Sequence, residues 1–331
     1  MTVCASTHSA EALADAVDRA VALLTAGEPV ALPTETVYGL AADALRAEAV
    51  ARIFEAKERP FFDPLIVHLP DVEWLELVAS IPAKSRALVD GLTMRFWPGP
   101  LTLVLPRKGI VPDIVTSGLE TVAVRMSAHP VFNEIAKLFG KPLAAPSANR
   151  FGRISPTTAA HVMSELNGRI KLVVDGGPAA HGVESTIVAV EGDALRILRS
   201  GPVSSEQLAE FGRICRFEKG HKLEAPGQLE SHYAPRTPLK LQLPGAVSGE
   251  AATGDVGLLA WSGVAEPHKF ACVEILSPTA DLREAAATLF SKMRRLDEAS
   301  VRLIVAEPVP ERGLGVAIMD RLRRAAHSTA L

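Results

Sequence analysis

Val30-Ala31-Leu32-Pro33-Thr34-Glu35-Thr36-Val37-Tyr38-Gly39-Leu40 sets a short apolar run against a turn crowded with hydroxyls. The run reads as a buried strand, which places the polar groups at a strand end, where open α/β sheets bind their ligands. Leu143-Ala144-Ala145-Pro146-Ser147-Ala148-Asn149-Arg150 repeats the arrangement much later in the chain. Hydroxyls, one amide and the nearby Lys57 and Arg59 make a donor-rich surface suited to an anionic, nucleotide-like ligand.

Strand and helix patterns alternate outward from these stretches. Residues 10–26 carry Leu13, Val17, Val21 and Leu24 at helical spacing, with Ser9 as N-cap and Gly27 as stop. Residues 46–57 form a second helix, with Val50, Ile53 and Phe54 inward, that Pro60 and Pro64 prevent from continuing. Leu65–Leu69 is a buried strand, and two helices follow near 71–79 and 83–95. Strands are expected at 101–105, 121–125, 142–145, 171–175, 186–190 and 195–199, with helices near 130–139 and 157–166 between them. The pair 186–190 and 195–199 reads as a hairpin, so the sheet is expected to be mixed. Composition changes after about residue 204. Residues 219–239 are rich in Gly and Pro, and His232-Tyr233-Ala234-Pro235 is too specific for a random spacer. A small α/β pattern follows, with strands at 239–243, 256–260, 271–275 and 301–306 and helices at 281–296 and 315–326.

The bulk numbers exclude several classes. With 331 residues and 48% hydrophobic content, the chain can bury two cores. A net charge of −3 with 5% aromatic residues disfavours a nucleic-acid-coating protein, leaving room for a local basic site. Cys4, Cys215 and Cys272 form no CxxC pair, which disfavours a disulfide scaffold or zinc ribbon. There is no basic, apolar leader and no apolar run long enough for a membrane span, so a cytoplasmic location is expected. No nucleophile elbow, Walker A, GxGxxG or HExxH pattern is present, no metal site is expected, and any metal should arrive as Mg²⁺ with a nucleotide.

Each candidate has a plainer structural reading. Lys57 and Arg59 could complement a helix C-terminus, but the run into Phe61-Phe62-Asp63-Pro64-Leu65 pins them near the sheet's end. His68 reads first as a packed strand or rim residue. Trp97-Pro98-Gly99-Pro100 reads as a rigid structural turn. Thr121, Ala123 and Arg125 share one strand face, and a buried Arg there needs a carboxylate partner or an anionic ligand. Ser147, Asn149 and Ser155-Pro156-Thr157 form a second hydroxyl cluster, in which Ser155 is the expected cap of the following helix. Gly182-Val183-Glu184-Ser185-Thr186 enters a strand, and Leu198-Arg199-Ser200-Gly201-Pro202 leaves one. The Arg321-Leu322-Arg323-Arg324 cluster reads as a solvated helix face in preference to a partner-docking surface.

In order and spacing, PTETVYGL, KERPxxDPLIVH, WPGPLT, TVAVR, PSANRFGRISPT, GVESTIV and ILRSGP resemble the Sua5/YrdC/YwlC family over residues 28–203. SHYAPRTPL and GLGVAIMDRLRRAA resemble the C-terminal extension of the Sua5 form. The resemblance implies an open twisted mixed sheet over 1–205, a linker or lid over 206–238, and a smaller Rossmann-like α/β domain over 239–331. It implies an L-threonylcarbamoyladenylate synthase that joins L-threonine, bicarbonate or CO2 and ATP, releasing pyrophosphate. The product would serve t6A formation at position 37 of ANN-decoding tRNAs, with a separate transferase complex as partner. By motif position, Thr36, His68, Arg125 and Ser185 would contact threonine, and Ala145 would line that pocket. Lys57 and Arg59 would be catalytic. With Ser147, Asn149, Ser155, Arg199 and Thr121 they would surround ATP, with Thr34 supporting the first turn. Tyr233, with His232, would reach the nucleotide from the linker. Asp63 replaces the usual Asn beside the triphosphate, which it would repel unless protonated, paired with Arg59 or met by Mg²⁺. Ser127 replaces a common Pro, a change expected to alter only a turn. The competing readings are a non-catalytic RNA-binding or regulatory module, and a carbamoyl-transfer enzyme of hydrogenase maturation. The second lacks its acylphosphatase-like region and zinc-finger cysteines here.

Overall fold

The structure, a computed structural model, describes residues 1–215, 225–229, 232–242 and 254–327. Within them the chain divides into two compact units. The first takes residues 1–151, 156–180 and the described part of 184–228; the second takes 152–155, 181–183 and the described residues from Leu229 onward.

The first unit is a mixed sheet of β1 (Val3–Ser6), β2 (Val30–Leu32), β3 (Gly39–Asp43), β4 (Ile66–His68), β5 (Leu101–Pro106), β6 (Thr121–Arg125), β7 (Leu143–Ala144), β8 (Leu172–Asp175), β9 (Thr186–Glu191), β10 (Ala194–Arg199) and β11 (Arg213–Cys215). Their order across the sheet is β1-β8-β2-β3-β7-β4-β6-β5-β9-β10-β11. Helices α1 (Ala10–Thr25), α2 (Ala47–Lys57), α3 (Leu75–Val78), α4 (Arg86–Phe96), α5 (Asp113–Thr116), α6 (Pro130–Phe139), α7 (Ala159–Leu166) and α8 (Ser205–Ala209) accompany it. Ser9 caps α1 by accepting the Ala12 N–H, and Val17, Ala20 and Leu24 are buried along that helix. Val50, Ile53 and Phe54 bury one side of α2, which ends at Glu58 in the left-handed region.

Several expectations need correction. β1, β3 and β11 were not foreseen. Gly39-Leu40-Ala41-Ala42-Asp43 has no β-branched residue, yet it is a buried interior strand between β2 and β7. The segment 71–79 splits into a 3₁₀ turn, Val72–Trp74, and the short α3. Thr158, not Ser155, caps α7, because its hydroxyl accepts the His161 N–H at N3. The linker does not start at 206, since α8 and β11 extend the first unit and β11 pairs parallel to β10. Residues 216–224 of the expected linker lie outside the described residues.

The second unit holds a parallel sheet of β12 (Leu239–Leu241), β13 (Val256–Ala260), β14 (Cys272–Ile275) and β15 (Leu303–Ala306), in the order β12-β15-β13-β14. Helices α9 (Leu282–Glu298) and α10 (Leu314–His327) belong to it. The end of the expected strand 239–243 falls at residue 243, outside the described residues. The solvated reading of the α10 arginines is wrong for Arg321, which is 0% exposed, and for Arg324, which is partly buried; Arg323 is exposed.

Candidate functional site

Sheet register brings the two opening motifs together. Leu40 N–H donates to the Pro146 carbonyl and Ala148 N–H to the Tyr38 carbonyl, each at 2.8 Å. Gly39 and Ser147 form a β-bridge between them. The Thr34–Val37 turn is closed from within. Thr34 Oγ1 accepts the N–H groups of Thr36 and Val37 at 3.2 Å and donates to the Val37 carbonyl at 2.6 Å. This matches the supporting role expected for Thr34.

One face of the central strands carries the polar centre. β4 and β6 are parallel with His68 opposite Arg125. β5 runs antiparallel to β6 on its other side, with Thr102 one step beyond the Leu103–Val124 pair. Arg125 is buried. Its Nη2 donates to Glu35 Oε1 at 2.8 Å and its Nη1 to Thr36 Oγ1 at 3.2 Å, while its Nε–H has no acceptor. The carboxylate partner required of a buried strand Arg is thus Glu35, in the first motif. Ser127 Oγ donates to the other Glu35 oxygen at 2.5 Å and accepts the His129 N–H at 3.2 Å. Ser127 therefore does more than alter a turn: it fixes the carboxylate that holds Arg125. His68 is 3% exposed, packs against Phe132 and is held neutral, first by burial and then by the Arg125 charge. Its Nδ1 has no hydrogen-bond partner. Ala145 donates its N–H to the Ile66 carbonyl and is buried beside this row.

Ser185 links the next strands. Its Oγ lies 2.8 Å from Thr102 Oγ1 and accepts from Arg199 Nη2 at 3.0 Å, and its carbonyl accepts from Arg199 Nε at 3.1 Å. Arg199 Nη1 reaches the Pro226 carbonyl at 3.3 Å. Ala225, beside it, is fully buried in an apolar cluster with Ile66, Val104, Ala123, Ile187, Ala189 and Leu198, so this part of the linker covers the functional face. The chain can pass close to Ser185 only because residue 201 is Gly: a Cβ there would lie 2.4 Å from the Thr186 nitrogen and 2.5 Å from the Glu184 oxygen.

The expected nucleotide residues lie along the second motif. Lys57 is buried, and its ammonium donates to the backbone carbonyls of Ser147 and Asn149. Burial and the neighbouring Arg59 push its pKa well down. Arg59 Nε donates to the Asp63 carbonyl at 3.2 Å and Nη2 to the Pro64 carbonyl at 3.0 Å. Asp63 Oδ2 stands 2.8 Å from Arg59 Nη2, at ion-pair distance but off the angle of a hydrogen bond. Burial raises the Asp63 carboxyl despite this partner. Ser147 is half-buried, Asn149 Nδ2 donates to the Arg150 carbonyl, and Thr121 is half-buried at the start of β6. Ser155 and Tyr233 are buried residues of the second unit.

Sequence reasoning passed over Glu35, Ser127 and Thr102 as functional residues. Glu35 and Thr102 lay inside quoted motifs, and their signal was the buried polar side chain each motif carries on its strand or turn. Among the described residues, no cluster of three His, Cys, Asp or Glu side chains is positioned to hold a metal, and no helix is long and apolar enough to cross a membrane.

A family model for Sua5, YciO and YrdC, described as "Telomere recombination", matches residues 22–201. The chain belongs to the Sua5/YciO/YrdC family. A second model, described as the threonylcarbamoyl-AMP synthase C-terminal domain, matches residues 203–327, so this family member carries the extended Sua5 architecture. A Bacillus subtilis relative named threonylcarbamoyl-AMP synthase is 42% identical over 325 residues, covering 93% of this chain and 92% of the relative. The fold is similar to that of Pyrococcus abyssi Sua5 in a double-alanine variant, with TM-score 0.90, 36% identity and coverage of 99% and 97% of the two chains. A structure of the same Pyrococcus protein complexed with L-threonine gives TM-score 0.87 at 36% identity, covering 99% of this chain and 98% of that one.

Proposed function

We propose that this Sua5-type protein is an L-threonylcarbamoyladenylate synthase. The carrying observation is the pair of buried, partnerless polar groups on neighbouring strands: the Arg125 Nε–H and the neutral His68 Nδ1. A buried Arg donor without an acceptor is costly, and a substrate carboxylate supplies the missing acceptor. Glu35 already orients the guanidinium, so the carboxylate docks side-on, while Thr36, Ser185 and neutral His68 offer partners to the ammonium and hydroxyl of L-threonine. Ala145 bounds the pocket.

The chemistry then needs placement more than a nucleophile. The threonine amine forms a carbamate with CO2 or bicarbonate. A carbamate oxygen attacks the α-phosphorus of ATP, and pyrophosphate leaves from the far side. Lys57 and Arg59 hold the 147–149 and 63–64 turns through their carbonyls, Arg59 brings a cationic charge beside them, and Arg199 adds another beside Ser185. With the Ser147 and Asn149 side chains and Thr121, they form the nucleotide-binding set of the first unit in this reading. Such a reaction runs on positioning, charge neutralisation and exclusion of water. The fully buried Ala225 supports a lid role for the linker, which would retain the labile carbamate. Any Mg²⁺ would enter with ATP and would supply charge neutralisation at the phosphates. The product serves t6A37 formation on ANN-decoding tRNAs in the cytoplasm, through a separate transferase complex.

The test is pyrophosphate release by the purified protein with ATP, Mg²⁺ and bicarbonate, giving each amino acid in turn. Release with threonine, much less with serine or valine, and a threonylcarbamoyl-AMP mass are expected. Tight ATP binding with no release for any amino acid would favour a regulatory or RNA-associated module instead.

A further inference from the structure

The sheet face that carries Arg125 changes its cover part-way across. On the β2–β7 side, Leu32, Ala41 and Leu143 pack with Val17 of α1 and Phe132 of α6 in one apolar cluster. His68, opposite Leu143, stands where that cover ends, its ring centroid 4.9 Å from that of Phe132. Beyond it, on β4, β6, β5 and β9, the same face carries a separate apolar cluster built on Ile66, Ala123, Val104 and Ala189. Among the described residues this cluster includes no helix residue, and its one member from outside the strands is Ala225. The other face of these four strands, through Val67, Val124, Leu103 and Val188, belongs to the main core. All of these residues lie in the first unit.

Register turns the uncovered part into two parallel rows. Ile66 pairs with Ala123 as His68 pairs with Arg125. Val104 stands opposite Ala123, and Ala189 beside Val104. A polar row of His68, Arg125 and Thr102 therefore borders an apolar row of Ile66, Ala123, Val104 and Ala189. The rows are two residues apart along each strand, about 6.6 Å. Ile66, Ala123 and Val104 keep 6%, 4% and 3% of their surface accessible, whereas Val67, Val124 and Leu103 behind them keep none. The apolar row thus opens onto the same space as the Arg125 Nε–H.

An α-amino acid held at that Nε–H by its carboxylate has a fixed reach. A methyl on its β-carbon stands three bonds from the carboxyl carbon, at most about 4 Å away. Pointing along β6, it comes into van der Waals contact with the apolar row. An ammonium or hydroxyl turned the same way would lose its hydrogen bonds over Ile66 and Ala123, while Thr36, His68 and Ser185 offer partners elsewhere. The methyl is the substituent left for the apolar row. We propose that Ile66 and Ala123 are specificity-determining residues of the amino-acid pocket: they take the β-methyl group of L-threonine and so separate it from serine. This rests on the synthase reading above and adds to it the groups that read the side chain. Ala123 is small enough to leave room for the methyl, and Ile66 supplies the wall beside it.

The test compares threonine with serine in the full-length protein, by kcat/KM for pyrophosphate release and by calorimetric Kd. The ratio of the two amino acids cancels any change in folded fraction. Wild type should favour threonine in kcat/KM by roughly 10–200-fold, the range for one methyl in an apolar pocket. Ala123→Val fills the methyl's space with a residue suited to a strand, and should bring both ratios to within about threefold of one. Ile66→Ala removes the wall and should lower both ratios at least about fivefold, with Ile66→Val, expected to lower them less, in its place if the alanine variant folds poorly. A variant that keeps the wild-type ratio overturns the assignment of that residue, and leaves it a packing role only. A wild-type ratio near one overturns the proposal outright. If wild type binds threonine over serine but releases no pyrophosphate, the functional reading fails, and the Kd ratios of the variants still decide whether Ile66 and Ala123 read the methyl. A chain that binds neither amino acid overturns both.

Discussion

Glu35 and Arg125, ninety residues apart in sequence, form a buried ion pair at 2.8 Å in which the second carboxylate oxygen is taken by Ser127. The pair leaves the guanidinium oriented by its Nη atoms with its Nε–H still to be satisfied. A charge arranged this way is committed to a geometry before substrate arrives, which is what preorganisation requires.

Arg125→Lys should therefore behave as a severe change. A lysine ammonium lacks the planar fork whose separate nitrogens reach Glu35 and Thr36 and leave Nε–H for a substrate carboxylate. Threonine kcat/KM is expected to fall roughly a hundredfold, with ATP KM within about twofold. Glu35→Gln should reduce stability by about 3 kcal/mol, because it leaves the buried Arg125 without its counter-charge. Steady-state kinetics and urea unfolding read the two effects separately. Equal loss for both substrates in the Arg125 variant would place that residue elsewhere in the reaction.

His68 gives a pH signature. Its folded-state pKa is well below the ordinary histidine value, by burial and then by Arg125, so it stays neutral in the folded protein where the unfolded chain already takes up a proton. The contribution to stability is complete above the unfolded value of about 6.5 and is lost as pH falls below it, by up to about 1.4 kcal/mol per pH unit until the folded value is reached. His68→Gln should remove that slope. Urea unfolding of both proteins between pH 5 and 8 measures it, and parallel curves would show that His68 does not titrate as described. His129, lowered by burial, adds a similar slope to both proteins, so it cancels in the difference.

The strand ends were legible because Val30-Ala31-Leu32 and Leu143-Ala144-Ala145 are short apolar runs that stop at polar turns. Alternation likewise showed that Thr121, Ala123 and Arg125 share a face. Which residue faced Arg125 was not legible, since β4, β5 and the first motif reach it through register between segments distant in sequence. β3 stayed hidden because Gly39-Leu40-Ala41-Ala42-Asp43, with neither β-branching nor alternation, carries no strand period. Arg321 was misread for a related reason. An arginine cluster on a helix looks solvated, whereas the structure buries one member, Arg321, with its guanidinium over the Tyr233 ring.

Asp63 is a buried carboxylate whose pKa is raised by desolvation against the pull of Arg59. A raised carboxyl binds protons more readily folded than unfolded, so its contribution to stability is present below the unfolded value of about 3.9 and is lost as pH rises through the folded value. Asp63→Asn removes that cost at neutral pH, keeps an oxygen toward Arg59 and takes a negative charge away from the nucleotide region. The variant should stay folded with stability within about 1 kcal/mol of wild type and show an ATP KM several-fold lower. A rise in ATP KM would mean that Asp63 takes part in nucleotide or Mg²⁺ binding directly.

Thr102 and Ser185 share a buried hydroxyl–hydroxyl bond at 2.8 Å, and Ser185 Oγ also accepts from Arg199 Nη2 at 3.0 Å. Thr102 shares its sheet face with Arg125 and His68. Thr102→Val keeps the shape but removes that bond from a buried hydroxyl, costing about 1–3 kcal/mol. Thr102→Ser should restore both the bond and the stability. Threonine kcat/KM should fall about tenfold in the valine variant and recover in the serine variant, with ATP KM unchanged in both. A valine variant that loses stability but keeps its threonine kinetics would confine Thr102 to holding β5 and Ser185 together.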